Sequence, residues 1–254
     1  MLVDTFMFYN ELDVLELRLT VLDEYVDKFV LVESELNHAG GPKELFFNLN
    51  RDRFAKWLHK IEHVIVTAAE SPRGSDPWSR EKHQRACILR GLADVPDSAI
   101  VMVSDVDEIP DLAIVPWEKL ENSVSSVHMW MFYYSFDFIL TTEPWFGTVI
   151  TTCDLFKKYG PNHFRDHRWN FPKHHLAGWH LSSFGDGKHV ANKLNTFAHS
   201  KDPHSIEWSP DVIQNLIKNG IWADGQTRLL PRGPEVPLPG SIEVLRRLQL
   251  GTFP

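Results

Sequence analysis

The sequence predicts a mixed α/β fold: a sheet with central parallel strands, an antiparallel extension and helices on its faces. Three observations carry that prediction. Residues 99–103, five consecutive apolar residues without polar alternation, suit a strand buried on both faces, with 2–8 a first apolar strand and 29–32 a second buried one. Between the first two, Leu12, Leu15, Leu19, Leu22 and Val26 keep helical spacing, which completes a βαβ unit by residue 34. The runs close on polar residues, as parallel strands do at the carboxyl edge that faces a ligand crevice.

The elements follow in order. Asn10 and Asp13 make a cap-like start for the first helix. The second strand closes with Glu33 and Ser34; Glu33 at that lip either reads a ribose or base edge or is a solvated strand-end acid. Residues 38–42 read as a turn, because the glycines lack the Lys-Ser/Thr of a phosphate-cradling P-loop. Asn50 is placed to cap a helix that buries Phe54, Trp57, Leu58 and Ile61, and residues 63–67 form a third strand. Residues 68–79, with Pro72, Gly74 and Pro77, read as a long irregular stretch of the kind often used functionally. A helix over 80–93 follows; Arg85 on it either points toward a diphosphate or is an ordinary surface arginine.

The apolar run at 99–103 stops at Ser104-Asp-Val-Asp-Glu-Ile-Pro110. In extended backbone, Asp105 and Asp107 leave the same face and can share one hard cation, Mn²⁺ or Mg²⁺, with Pro110 ending the strand. An isolated Asp-X-Asp also suits an ordinary turn or helix start. An EF-hand is excluded, since Pro110 occupies the position where that loop needs Gly. A phosphohydrolase of the Asp-X-Asp-X-Thr type would need Thr where Ile109 stands. A nucleotide-sugar site is the third candidate.

Residues 117–120 suggest a short helix, 127–138 and 146–152 the antiparallel extension, and 155–159 a helix ended by Gly160 and Pro161. Residues 162–175 read as loop. His163 and His167 have helical metal-ligand spacing, but Phe164 stands where a zinc peptidase needs Glu. Residues 176–183 read as a strand and 188–199 as a helix. Ser209-Pro210-Asp211 is a helix start and Gly220 its stop. The tail, about 226–254, is expected to wrap the surface, with a last helix at 242–248.

Composition bounds the function. The 254 residues are 43% hydrophobic, enough for one substantial domain over 1–254. A formal net charge of −8 argues against a general nucleic-acid binder and for substrates that arrive neutral or with a metal. Residues 1–8 are too short and lack the basic region of a signal peptide, and no apolar run approaches a transmembrane segment. Cys87 and Cys153, both in apolar contexts, are expected as buried free thiols, which fits a cytoplasmic setting. Nine Trp and 16 Phe supply core and, in part, a carbohydrate or base pocket.

Five phrases, in order over residues 8–225, resemble glycosyltransferase family 17. They are Phe8-Tyr-Asn-Glu-Leu-Asp-Val-Leu-Glu-Leu-Arg18, Phe29-Val-Leu-Val-Glu-Ser34, Ser104-Asp-Val-Asp-Glu-Ile-Pro110, Ala177-Gly-Trp-His-Leu-Ser182 and Asn219-Gly-Ile-Trp-Ala-Asp-Gly225. The resemblance implies a GT-A (Rossmann-like) fold, a nucleotide-sugar donor with a lean to UDP-N-acetylglucosamine, inversion at the anomeric carbon and a divalent cation on the Asp-X-Asp. It leaves the glycan acceptor open, and the chain departs from the animal members in lacking their membrane anchor and luminal stem. On this reading Asp107 coordinates the cation directly, Asp105 takes it through water or binds the ribose hydroxyls, and His180 is the third ligand of the GT-A pattern. Glu108 orients the turn. Asn10, Glu33, Arg85, Asp105 and His199 fall on the donor side, although His199 equally suits a helix-terminal surface residue. Trp145 and Gly147 suit a sugar wall, through an aromatic face and close approach. Asp166 is the expected general base, with Glu143 and Asp186 as competitors. Two other functions remain in play: a phosphohydrolase with Asp105 as nucleophile, and a non-catalytic carbohydrate-binding module.

Overall fold

A computed structural model describes residues 1–74, 76–120, 123–196 and 207–251. Its sheet begins as four parallel strands, β1 (Leu2–Phe8), β2 (Lys28–Ser34), β3 (Ile61–Val66) and β4 (Ile100–Asp105), in the order β3-β2-β1-β4. Beyond β4 the sheet continues through β5 (Glu108–Pro110), β6 (Val124–Tyr133), β7 (Ser135–Thr152), β8 (Lys173–His174), β9 (Gly178–Ser182) and β10 (Leu230–Pro231). The long β7 pairs antiparallel with both β4 and β6, which is the expected extension. The helices are α1 (Leu12–Leu22), α2 (Phe46–Leu49), α3 (Pro77–Ala86), α4 (Cys153–Tyr159), α5 (Pro161–Asp166), α6 (Gly187–Thr196), α7 (Pro210–Asn219) and α8 (Ile242–Arg247).

The apolar residues of β1, β2 and β4 are buried on both faces, as predicted for 99–103. Leu2, Phe6, Leu31, Ile100 and Met102 face the core shared with α1, while Val3, Val30, Val101 and Val103 face a second core with Ile88, Phe156 and Phe164. Cys87 and Cys153 are buried free thiols in that second core. The helix start at Ser209 is as read: its hydroxyl accepts from Val212 N, Pro210 opens α7, and Gly220 closes it in the left-handed conformation (φ 60°).

Several boundaries differ for local physical reasons. Helix α1 begins at Leu12, and neither Asn10 nor Asp13 caps it; Glu11 instead accepts from Asn10 N. Asn50 closes the short α2 by donating to Phe46 O, and Phe54 and Trp57 are buried from a 3₁₀ turn, Arg51–Trp57. Helix α3 starts within the stretch expected to be irregular, because Asp76 accepts from Trp78 N and Ser79 N and Pro77 suits the first turn. It tightens into a 3₁₀ turn over Cys87–Leu92. The segment expected as loop after Gly160 contains α5. The tail does more than cover the surface, since Val236, Leu245, Leu248 and Leu250 are buried in the core shared with α1, and Trp179 Nε1 donates to Pro237 O.

The acidic stretch is the main correction. It is not one strand stopped by Pro110: β4 ends at Asp105, Val106 and Asp107 form a turn, and Glu108 to Pro110 leave as β5, paired with β9. The agent is Arg18 on α1, which is wholly buried. Its Nη1 donates to the carbonyls of Asp105 (3.1 Å), Val106 (3.2 Å) and Glu108 (2.8 Å), while Nε and Nη2 hold Asp4 at 2.8 and 2.6 Å. Nη2 also reaches Ser104 Oγ at 2.6 Å. Three carbonyls drawn to one nitrogen curl the chain, so Asp105 and Asp107 do not share the face of an extended strand.

Removing one partner of such a buried pair strands the other. Arg18→Met should therefore destabilise the fold by about 3–5 kcal/mol, read from urea unfolding midpoints; a change within experimental scatter would show that the turn does not depend on Arg18.

Candidate functional site

The carboxyl ends of β1 and β4, the loop after β2 and the face of α3 form one side of a cavity of about 890 Å³. Trp145, Arg165, Arg168, His180, Lys193, Trp208 and Trp222 approach from the other side. Its floor is the turn that Arg18 shapes, with Asp105 and Asp107 both facing the opening.

A second buried arginine organises that floor. Arg165, from α5, donates through Nη1 to Glu108 Oε2 (2.7 Å) and Gly147 O (2.7 Å), and through Nη2 to Asp105 Oδ2 (2.8 Å) and Glu108 Oε1 (3.1 Å). Glu108, itself wholly buried, also accepts from Asp105 N (2.8 Å) and Trp145 Nε1 (2.8 Å). It orients the turn, as the sequence suggests. Burial would raise the pKa of Asp105, but Arg165, Arg85 and Arg168 outweigh it and hold the carboxyl well below the usual range.

Asp107 has a different set of neighbours. Lys193 Nζ, from α6, lies 2.9 Å from its Oδ2 and 3.5 Å from Glu11 Oε1. His180 Nε2 lies 3.8 Å from its Oδ1. Burial alone would raise the Asp107 pKa, yet the ammonium of Lys193 beside it brings it below the ordinary value. His180, opposite Glu108 in the β5–β9 ladder and stacked on Trp145, is pushed down by burial against the pull of Asp107 and Glu108, so it is neutral at pH 7.

These contacts decide how well the site fits a divalent cation. Asp107 Oδ1 and His180 Nε2 fit: a carboxylate oxygen left free by Lys193 and a neutral imidazole nitrogen are both suitable donors. Among the described residues, no three carboxylate, imidazole or thiol groups converge closely enough to enclose an ion. Asp105 is turned to Arg165, with its Oδ1 free of hydrogen bonds and 3.8 Å from Arg85 Nη2.

The remaining expected residues are distributed unevenly. Arg85 lines the cavity and is paired with Glu81. Trp145 lines it too, with its indole nitrogen on Glu108 and its face on His180. Asp166 is at the rim, 47% exposed, with Lys82 Nζ at 3.5 Å. Asn10 lies beside the cavity-lining Tyr9 and Glu11, its enclosed Oδ1 without a hydrogen bond. Glu33 does not reach the cavity; it is buried and accepts from Lys43 Nζ, Phe47 N and His63. The close approach at Gly147 is made by Met129 and Glu108, since a Cβ there would meet Met129 Sδ at 2.5 Å. Glu143 is exposed on β7, and Asp186 accepts from His189 N at the start of α6. His199 lies outside the described residues.

Sequence reasoning missed Arg165, Arg168, Lys193 and Glu11. Only Arg18 left a signal, as a lone cation among the leucines of α1, where a buried charge must find a partner. The others are brought to the floor by elements far apart in the chain.

The family model described as "Glycosyltransferase family 17" matches residues 1–231. The β-1,4-mannosyl-glycoprotein 4-β-N-acetylglucosaminyltransferases of Rattus norvegicus and Homo sapiens are each 24% identical over 262 residues, covering 87% of this chain and 48% of theirs. The chain thus spans about half the length of these curated relatives. Among solved structures, HddC from Yersinia pseudotuberculosis has a TM-score of 0.39 at 9% identity, over 71% of this chain and 88% of that one. The galactosyltransferase LgtC, solved with donor and acceptor sugar analogs, has a TM-score of 0.36 at 10% identity, over 91% and 98%.

Both floor carboxylates are held below their ordinary pKa. Their contribution to stability is therefore complete above about pH 4, the unfolded value, and is lost as pH falls from there through their lower folded values. The double variant Asp105→Asn, Asp107→Asn should lose stability less steeply than the wild type below about pH 4, measured as urea midpoints across an acid series. Equal slopes would mean that Arg165 and Lys193 do not hold these groups ionised.

Proposed function

Because the chain belongs to glycosyltransferase family 17, we propose that this cleft transfers a sugar from a nucleoside-diphosphate donor to a glycan hydroxyl, with inversion at the anomeric carbon. N-acetylglucosamine carried on UDP is the donor to try first, because the curated relatives are named for N-acetylglucosaminyl transfer. The observation that carries the proposal is the pair Asp105 and Asp107 at the carboxyl end of a central parallel strand, opening into a cavity large enough for a nucleotide sugar and walled by Trp145, Trp208 and Trp222.

Breaking the anomeric bond to a diphosphate leaves negative charge on the leaving group, and donors fixed in advance around that charge lower the barrier. Asp107 and His180 are the residues to hold a divalent cation, Mn²⁺ or Mg²⁺, which would supply charge neutralisation at the leaving diphosphate. Asp105, fixed by Arg165, is left to accept from donor hydroxyls. Trp145 offers an aromatic wall to a sugar ring, braced by its bond to Glu108. Asp166, at the rim beside Lys82, is proposed to take the proton of the acceptor hydroxyl as it attacks the face opposite the leaving group.

The phosphohydrolase alternative needs Asp105 as a free nucleophile, whereas Arg165 engages one of its oxygens at 2.8 Å and Arg85 faces the other. A carbohydrate-binding module would need neither nucleotide nor metal.

The test is a thermal-shift panel of UDP, GDP, CMP and TDP with and without Mn²⁺, followed by transfer assays with the matching nucleotide sugars. A nucleotide at about a hundred times its dissociation constant stabilises by roughly 2.7 kcal/mol, a readily visible shift. A metal-dependent shift from one nucleotide is expected; none from any would sink the proposal. Asp107→Ala should abolish transfer while the circular dichroism spectrum is unchanged, and normal transfer by that variant would remove Asp107 from the site.

A further inference from the structure

Most cations lining the cleft are matched to a carboxylate. Lys43 lies 3.2 Å from Glu33, Arg85 2.5 Å from Glu81, Arg165 2.7 Å from Glu108, and Lys193 2.9 Å from Asp107. Arg168 is the exception among the described residues. Its Nη1 donates to Arg165 O at 2.6 Å, its Nε is enclosed without an acceptor, and among the described residues no Asp or Glu lies within ion-pair distance of it. Its guanidinium carbon lies 5.2 Å from the centroid of Trp145 and 5.4 Å from that of Trp169.

A guanidinium keeps its charge even when burial and a neighbouring arginine oppose it, as they do here. Asp105 and Glu108 favour that charge from beyond ion-pair distance, and a half-buried guanidinium with no carboxylate bonded to it is better satisfied when an anion bonds it directly. The two indoles fix the group while leaving it on the cavity wall. The better of those rings, Trp145, also stacks on His180 and bonds Glu108, so Arg168 stands one ring away from the cleft floor. A fixed fork of N–H donors matches the paired oxygens of a phosphate better than it matches a neutral sugar.

We propose that Arg168 is the phosphate-binding group of this cleft, and that its ligand is the diphosphate of a nucleotide donor. The second clause rests on the glycosyl-transfer reading; the first does not. Free pyrophosphate has the same chemistry, so the test separates the two sources.

The 254-residue wild-type chain, Arg168→Gln and Arg168→Lys are titrated calorimetrically with UDP, uridine and inorganic pyrophosphate, each in EDTA and in Mn²⁺, alongside GDP and guanosine. Arg168→Gln should weaken nucleoside diphosphate and pyrophosphate by about tenfold or more, the scale of one charge-assisted hydrogen bond, and leave nucleoside binding unchanged. Arg168→Lys should recover part of the loss, because it restores charge without the fork. Undiminished diphosphate binding by folded Arg168→Gln would overturn the inference and leave the glycosyl-transfer reading standing. An equal loss of nucleoside and diphosphate binding would also overturn it, since that pattern marks Arg168 as a brace for Trp145. Arginine-dependent binding of pyrophosphate, with no binding of any nucleoside diphosphate, would keep the anion site and remove the nucleotide reading. Binding of neither by the wild type would overturn both.

Discussion

Arg18 carries a full positive charge in a position with no solvent exposure, and the shape of the cleft floor follows from how that charge is satisfied. Burying a guanidinium costs several kcal/mol unless its donors and its charge are both matched. Asp4 on β1 matches the charge through two bonds, and Ser104 with three carbonyls of the acidic stretch takes the remaining donors. Helix α1, the first strand and the β4–β5 turn are thereby joined at one point. The joint lies beneath the turn, so both acidic side chains above it are free to face the cavity.

A second layer of charge sits on the first. Arg165 and Glu108 are both buried, and their mutual bonds fix Asp105 from below and Trp145 from the side. Asp107 is matched by Lys193 from a different helix. The floor thus alternates acid and base, and its parts come from α1, β4, β5, α5, β9 and α6. In a cleft of low polarizability such fixed charges act strongly on whatever enters, because they do not need to reorganise. The aromatic groups have a linked role: Trp145 is at once a hydrogen-bond donor to Glu108, a stacking partner of His180 and a support for Arg168.

Much of the fold was legible in the chain. The unbroken apolar run of β4 marked a central strand, since a strand buried on both faces has no reason to alternate, and the apolar stretches of β1 and β2 marked its neighbours. Ser209, Pro210 and Gly220 marked α7, since capping depends on local chemistry that neighbours in sequence supply. The errors fell where a residue's partner was remote. Asp13 resembled a cap but pairs with Arg53, and the loop assigned after Gly160 was a helix that delivers Arg165 to Asp105 and Glu108. Glu33 stood at the expected lip of β2, yet Lys43, Phe47 and His63 enclose it.

By itself the sequence determined the class of fold, the family phrases and the place of Asp105, Asp107 and His180 within them, because each depends on residue type and short spacing. The tertiary structure decided what those residues can do. Whether Asp105 faces a cation or an arginine, whether His180 is charged, and which arginine is left without a paired carboxylate depend on groups tens of residues away. Electrostatic partnership is a matter of distance in space, and only folding sets that distance.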